Sequence, residues 1–203
     1  MIAMIYYEMN GYKTQRLVET FQRGISRKRC VNFMELIFPK VETEEEVSLL
    51  AQLASGIWHE YFVSIISNEQ IEYMVEKFQS FHAINDQIKQ QGYEYYFMNV
   101  NGNNIGYLGM KEEEGKLFLS KFYIQKEHRG KGYASQAMEF LVELCKDRGL
   151  SIIWLTVNRY NDTTIAVYEK KGFRTVRTQV ADIGNGFVMD DNIMEKEIVL
   201  EKK

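Results

Sequence analysis

The most constraining feature of the chain is a glycine turn set between two apolar runs. "LFLSKFYI", residues 117–124, reads as a central strand, and "SIIWLTV", residues 151–157, is a continuous apolar run expected of a strand covered on both faces. Between them lies "HRGKGYASQAMEFLVELCKDRG", in which Gly130 and Gly132 precede an amphipathic helix that Gly149 closes as a C-cap. The first N–H groups of a helix lack intrahelical acceptors and carry about half a positive charge, so a glycine-bearing turn there makes an anion site. Glycines let backbone approach a phosphate without an intervening Cβ. The same pattern also serves as a plain strand-to-helix turn.

Two nucleotide motifs fail on spacing. The loop lacks the four-residue gap and the Gly-Lys-Ser/Thr of a Walker sequence, and position 135 is Ser where a dinucleotide fingerprint needs glycine. Asp162, after the next strand, stands at a helix start, where it reads as a cap.

Upstream, Thr43-Glu44-Glu45-Glu46 has capping-box spacing, and Val47, Leu50, Ala54, Ile57, Trp58 and Tyr61 follow at helical intervals. Ser67-Asn68-Glu69-Gln70 repeats the signal ahead of a second helix, and a third runs from about Phe81 to Gln90. The period then changes: "YEYYFMNV" and "IGYLGM" flank "NGNN" as a hairpin, and "KEEEGK" turns into the strand at 117. A helix from about Asn161 to Lys171 and two closing strands, "FRTVRTQV" and "NIMEKEIVL", joined by "ADIGNGFVMDD", complete a mixed α/β sheet with helices on both faces.

Composition narrows the function classes. The net charge of −3 and the absence of a basic stripe interleaved with aromatics argue against nucleic acid. No apolar run has the length of a membrane span and no signal-peptide core is present, so no membrane partner is expected. Cys30 and Cys145 stand far apart and the three histidines are scattered; no metal is expected, and free thiols fit a cytoplasmic setting. Residues 1–33 hold six Lys/Arg and two acids, leaving the rest of the chain at −7. They are expected to be a basic extension, loosely attached or the product of an upstream start codon, with an added helix over "TQRLVETFQRGI" as the alternative; the domain proper is expected over 34–203.

Arg129-Gly130-Lys131-Gly132-Tyr133-Ala134 resembles the Arg/Gln-x-x-Gly-x-Gly/Ala loop of the GCN5-related N-acetyltransferases (GNAT family). "NDTTIAVYEKKGF" extends the resemblance, which covers about residues 38–203, with Asn158 or Asn161 in the place of the family's asparagine. The resemblance implies a GNAT fold: a mostly antiparallel twisted sheet, splayed between its two central strands. It implies acetyl-CoA as co-substrate and an amine as acceptor, with a homodimer as a frequent family assembly. Amides of Arg129 to Ala134 would cradle the pyrophosphate, Arg129 would add a charged contact, and Phe122, Tyr123 and Ile124 would meet the pantetheine arm. Asn161 would join the cofactor site, and Tyr168 would protonate the departing thiolate.

The central strand carries no acid, which leaves ordered water or Glu60 as the route for the amine's proton. Trp58, Tyr61, Tyr73 and Phe78 could wall the acceptor pocket. Asp182, Asp190 and Asp191 fit a small cationic acceptor such as a polyamine, an aminoglycoside or a lysine-like amine, as well as solvated loop acids. Acetylation of a protein N-terminus or lysine, or a non-catalytic acyl-CoA sensor, are the competing functions.

Overall fold

The computed structural model describes residues 35–200. The basic extension inferred at residues 1–33 lies outside them. Strand β1 (Leu36–Ile37) leads into three helices, α1 (Glu44–Tyr61), α2 (Asn68–Gln79) and α3 (Phe81–Gln90). The meander β2 (Tyr93–Val100), β3 (Asn103–Glu113) and β4 (Lys116–Ile124) follows, then α4 (Tyr133–Arg148), β5 (Ile152–Asn158) and α5 (Asp162–Lys170). Strands β6 (Arg174–Gly184) and β7 (Phe187–Glu197) close the chain.

The seven strands form one sheet in the order β1-β2-β3-β4-β5-β7-β6. All pairings are antiparallel except β4 with β5, which pair in parallel only at Leu117–Ile153 and Phe118–Trp154. Beyond those two positions the strands part. Stacked rings of Phe118 and Trp154, 4.0 Å between centroids, sit at the vertex.

Side-chain alternation divides the core in two. Leu117, Leu119, Phe122 and Ile124 of β4 pack with α4 and α5 on one face. Tyr123, with Tyr95, Phe97 and Tyr107, packs under α1, α2 and α3 on the other. The phase shift within β4 comes from a bulge: Gly109 pairs with Lys121 while Met110 pairs with Leu119, leaving Ser120 as the extra residue.

The helices begin where the side chains dictate. Thr43 and Glu46 form the full capping box of α1, and Ser67, Ser80 and Asn161 cap α2, α3 and α5 through their side chains. Arg148, in the last turn of α4, and Lys40 both pair with Glu94 of β2, fixing that helix to the sheet. Their hydrogen bonds, that of Arg148 foremost, bring the Glu94 carboxyl down to about 2.

The closing strands differ from the sequence-based expectation. "ADIGNGFVMDD" is not an open connection, because β6 and β7 run through it to a turn at Asn185-Gly186, both at positive φ (56° and 76°). Asn-Gly is the strongest short hairpin signal, and here it places Asp182, Asp190 and Asp191 on strands.

Lys121 is the only charged side chain among the buried residues of β4, and it is fully buried. Its ammonium donates to Gln87 Oε1 of α3 at 2.8 Å and to Ser120 Oγ at 3.4 Å, and lies about 5 Å from the ring centroids of Tyr93 and Tyr95. The Tyr95 hydroxyl donates to the same Gln87 oxygen, so one amide joins α3 to two strands. Burial brings the lysine from its usual 10.5 down to about 7. Between those values the unfolded chain binds a proton that the folded one does not, so this group makes stability rise with pH from about 7 to 10.5. The midpoint of urea denaturation measured from pH 7 to 9.5 is therefore expected to climb more steeply for the wild type than for Lys121→Met. Parallel curves would show that Lys121 stays charged in the fold.

Candidate active site

The parting of β4 from β5 leaves the β5-facing backbone of residues 119–124 without a strand partner. Phe122, Tyr123 and Ile124 lie in this half of β4, all buried, with Phe122 and Ile124 turned to the α4/α5 face and Tyr123 to the other. The turn carrying Arg129, Gly130, Lys131 and Gly132 follows and delivers the chain to Tyr133 and Ala134 in the first turn of α4. The sheet thus brings the predicted pantetheine and pyrophosphate segments to one open end.

Gly132 caps α4 in the left-handed region, φ 84°, and no side chain caps this helix. The four other α-helices described each have a side-chain cap. A Cβ at Gly130 or Gly132 would meet no atom within 4 Å, so both glycines answer to backbone conformation and to open space beyond them. The amides at the start of α4 therefore suit a phosphate. The fit for the adenosine-diphosphate end of acetyl-CoA is good.

Arg129 does something other than the expected anion contact. Its amide donates to the Lys126 carbonyl at 3.2 Å and its Nε to the Ile124 carbonyl at 2.7 Å. Both terminal nitrogens bind the Glu60 carboxylate, at 3.3 and 3.1 Å, and the guanidinium lies 5.1 Å from the Tyr61 ring centroid. The side chain is a brace between the turn and the end of α1. The pair also removes Glu60 from the role of free base.

Tyr168 is completely buried on α5, and its hydroxyl has no hydrogen-bond partner among the described residues. Burial, with a smaller contribution from the neighbouring Tyr123 phenol, holds it well above the usual tyrosine range. Tyr123 is raised by burial in the same way, and its ring lies 5.3 Å from Tyr107 and 5.9 Å from Trp58. These side chains make the floor between the two central strands a set of protonated phenols in an apolar surround.

A cleft of about 580 Å³ opens beside this floor, between the end of α1, α2, the tip of β5 and the start of β7. Trp58 and Tyr61 wall it as the sequence suggested. Tyr73 and Phe78 do not line it, since Tyr73 instead donates to the Ile183 carbonyl at 2.6 Å. Both asparagines reach the cleft. Asn158 accepts from the Tyr160 amide at 3.0 Å and Asn161 from the Thr164 amide at 3.1 Å, so each is held by its own turn.

The acids of the last hairpin do not form a cationic subsite on the cleft. Asp190 pairs with Arg159 at 3.1 Å, and Asp182 accepts from the Gly184 amide at 2.7 Å. Asp191 is buried, and burial above all, with Asp190 adding to it, raises its carboxyl above the ordinary range. Sequence reasoning missed Lys121 and underrated Asp191. One lysine inside "LFLSKFYI" was the available signal for the first; the Asn-Gly turn was the signal for the second.

Comparison with known proteins agrees with this geometry. Residues 52–173 match the family model described as Acetyltransferase (GNAT) family. An uncharacterized N-acetyltransferase in the pepI 3′ region of Lactobacillus delbrueckii subsp. lactis is 23% identical over 141 residues, covering 66% of this chain and 81% of that one. The uncharacterized N-acetyltransferase YdgE of Bacillus subtilis is 25% identical over 125 residues, 60% of this chain and 74% of that one. Among solved structures, the PaiA N-acetyltransferase of Thermoplasma acidophilum in complex with coenzyme A superposes with a TM-score of 0.66 at 22% identity, covering 81% of this chain and 99% of that one. The ribosomal-protein-S18-alanine N-acetyltransferase of Escherichia coli gives 0.58 at 18%, covering 83% and 97%.

The chain belongs to the GNAT family of acetyltransferases. It is an N-acetyltransferase with acetyl-CoA as co-substrate.

Gly132→Glu sets a carboxylate where the phosphates would lie. Because φ 84° strains any side chain at this position, Gly132→Gln is the reference, and Gly132→Glu is expected to bind acetyl-CoA at least tenfold more weakly than that variant in calorimetry. Equal affinity of the two variants would remove the turn from the donor site.

Proposed function

We propose that the protein acetylates a small primary amine by direct attack, with Tyr168 as the general acid. The observation that carries this is the Tyr168 hydroxyl, buried and unpartnered among the described residues on the helix that opens at Asn161 beside the cleft. A buried hydroxyl without a partner costs about 1–3 kcal/mol, which favours a partner that arrives with the substrates. Its raised range keeps the phenol protonated throughout the working pH, as an acid requires.

Acetyl-CoA supplies an activated thioester. The amides at the start of α4, from Gly130 to Ala134, hold the pyrophosphate, and the unpaired edge of β4 around Phe122 to Ile124 takes the pantetheine by strand-like hydrogen bonds. A β4 amide donates to the carbonyl oxygen as charge develops on it. The amine nitrogen bonds to the acetyl carbon as the carbon–sulfur bond breaks. Tyr168 gives its proton to the leaving sulfur and regains one from the ammonium, through water. Asn158 and Asn161 orient the acceptor at the mouth of the gap. A cytoplasmic setting, where acetyl-CoA is made and the buried Cys145 thiol stays reduced, goes with this activity.

Tyr168→Phe removes the hydroxyl and little else from a fully buried ring. Its kcat is expected to fall by roughly 10²-fold or more, with the acetyl-CoA KM little changed. Wild-type activity should show no alkaline decline from this group below about pH 10, where an unperturbed tyrosine would titrate. Thiol release followed across an amine panel measures both. Equal turnover by the two proteins would dismiss Tyr168 as the acid.

A further inference from the structure

The cleft's lining narrows the acceptor further, on the footing of the acetyl-transfer function just proposed. We infer that the acceptor is an amine with a single positive charge on a compact aromatic or branched apolar body, rather than a polyamine, an aminoglycoside or a peptide chain. Among the described residues, none lining the cleft carries a formal charge. Its walls are mostly apolar, with Trp58, Phe62, Ile65, Met74, Val188 and Met189, and its polar groups are neutral: Asn158 and Asn161 at the end at β5 and α5, Gln70 on α2, and two tyrosines. An acceptor of two or more ammonium groups would bury at least one against these walls with no counter-ion, which is strongly unfavourable.

The rim makes the same argument. Ile65 is 55% exposed, Val188 56% and Tyr160 76%, and all three belong to this one cleft. Large apolar side chains exposed singly need no explanation, but three around one opening mark a surface that an apolar partner covers. Of the acids that could have attracted a polycation, Asp190 pairs with Arg159, Asp182 accepts from its own turn, and Asp191 is buried and does not line the cleft.

Size is limited by the hairpin over the cleft. The Tyr73 hydroxyl donates to the Ile183 carbonyl at 2.6 Å, and Lys77 donates both to that carbonyl and, at 2.8 Å, to the Tyr73 oxygen. Phe187 packs against the Tyr73 ring at 5.4 Å. Gly184, at φ 88°, passes so close that a Cβ would come within 2.6 Å of the Tyr73 hydroxyl. The hairpin tip is thereby fastened to α2, and Val188 and Met189 at the base of β7 face Met74 of α2 across a cleft of about 580 Å³. Volumes of that order hold one small molecule. The fastening sets the hairpin tip against α2, which counts against an extended peptide passing between them.

The test compares 2-phenylethylamine, tryptamine and isoamylamine with spermidine, kanamycin and an alanine-started hexapeptide. Thiol release from acetyl-CoA gives kcat/KM, and calorimetry on the full chain saturated with coenzyme A gives the binding of each amine. The three apolar amines are expected to exceed spermidine and kanamycin by at least ~10-fold in both readouts, since one or two well-buried groups suffice for that ratio. Val188→Asp, at an exposed strand position opposite Asp182, should lower kcat/KM for 2-phenylethylamine by about tenfold and narrow its lead over spermidine. Val188→Asn should give the same fall for 2-phenylethylamine without a second charge across the hairpin. Preference for spermidine, kanamycin or the peptide would overturn the inference and leave the transferase function standing. Binding of the apolar amines without turnover would uphold the inference and count against the proposed chemistry. Failure of the apolar amines to bind the coenzyme A complex would refute the inference outright.

Discussion

Everything in the site depends on how little β4 and β5 touch. Two residue pairs, Leu117–Ile153 and Phe118–Trp154, hold the one parallel junction among the described residues of an otherwise antiparallel sheet. Past them the strands diverge, with Tyr168 of α5 packed behind the gap and Tyr123 in front of it. A fully zipped sheet would satisfy its own backbone and leave nothing for a pantetheine chain to bond. The parted sheet instead leaves donors and acceptors at an edge that is interior to the fold, which is an arrangement stable only when a ligand or water completes it. The bulge at Ser120, one residue past the junction's last neighbour Leu119, changes the phase of β4 where the gap begins and so sets which residues face each core.

Around that gap burial disfavours the charged forms of several polar groups. Tyr107, Tyr123 and Tyr168 are all raised by desolvation, and Lys121 is lowered by it. Each shift opposes formation of the charged form, as a low-dielectric interior demands. The consequence is a reaction space in which a phenolic proton donor remains a donor. Ion pairs stand at the periphery, where Arg129 ties the phosphate turn to Glu60 and Arg159 ties the tip of β5 to Asp190. Because Tyr61 lies beneath the Arg129 guanidinium and also walls the cleft, the same contact joins the donor loop to the acceptor side.

Much of this was legible in the residues. The strand–turn–helix at 117–148, the capping box at Thr43 and the helix bearing Tyr168 follow from patterns with a local physical cause. The resemblance carried by the glycine turn and by "NDTTIAVYEKKGF" supplied the family. What sequence left dark are long-range choices. Nothing local to Arg129 shows that its guanidinium turns toward α1, because the Glu60 partner lies 69 residues away. The three acids of the last hairpin appeared as one cluster, yet pairing across the Asn-Gly turn sends them to different surroundings. Nothing local to Lys121 marks it as buried; its burial is decided by α3 closing over the bulge and offering Gln87.

Amide hydrogen exchange with and without acetyl-CoA tests the central claim most directly. The account predicts slowed exchange in two stretches together, the β5-facing amides of residues 119–124 and the amides of 130–134, with little change in β2 and β6. Protection that appears elsewhere while both stretches exchange as in the free protein would contradict it.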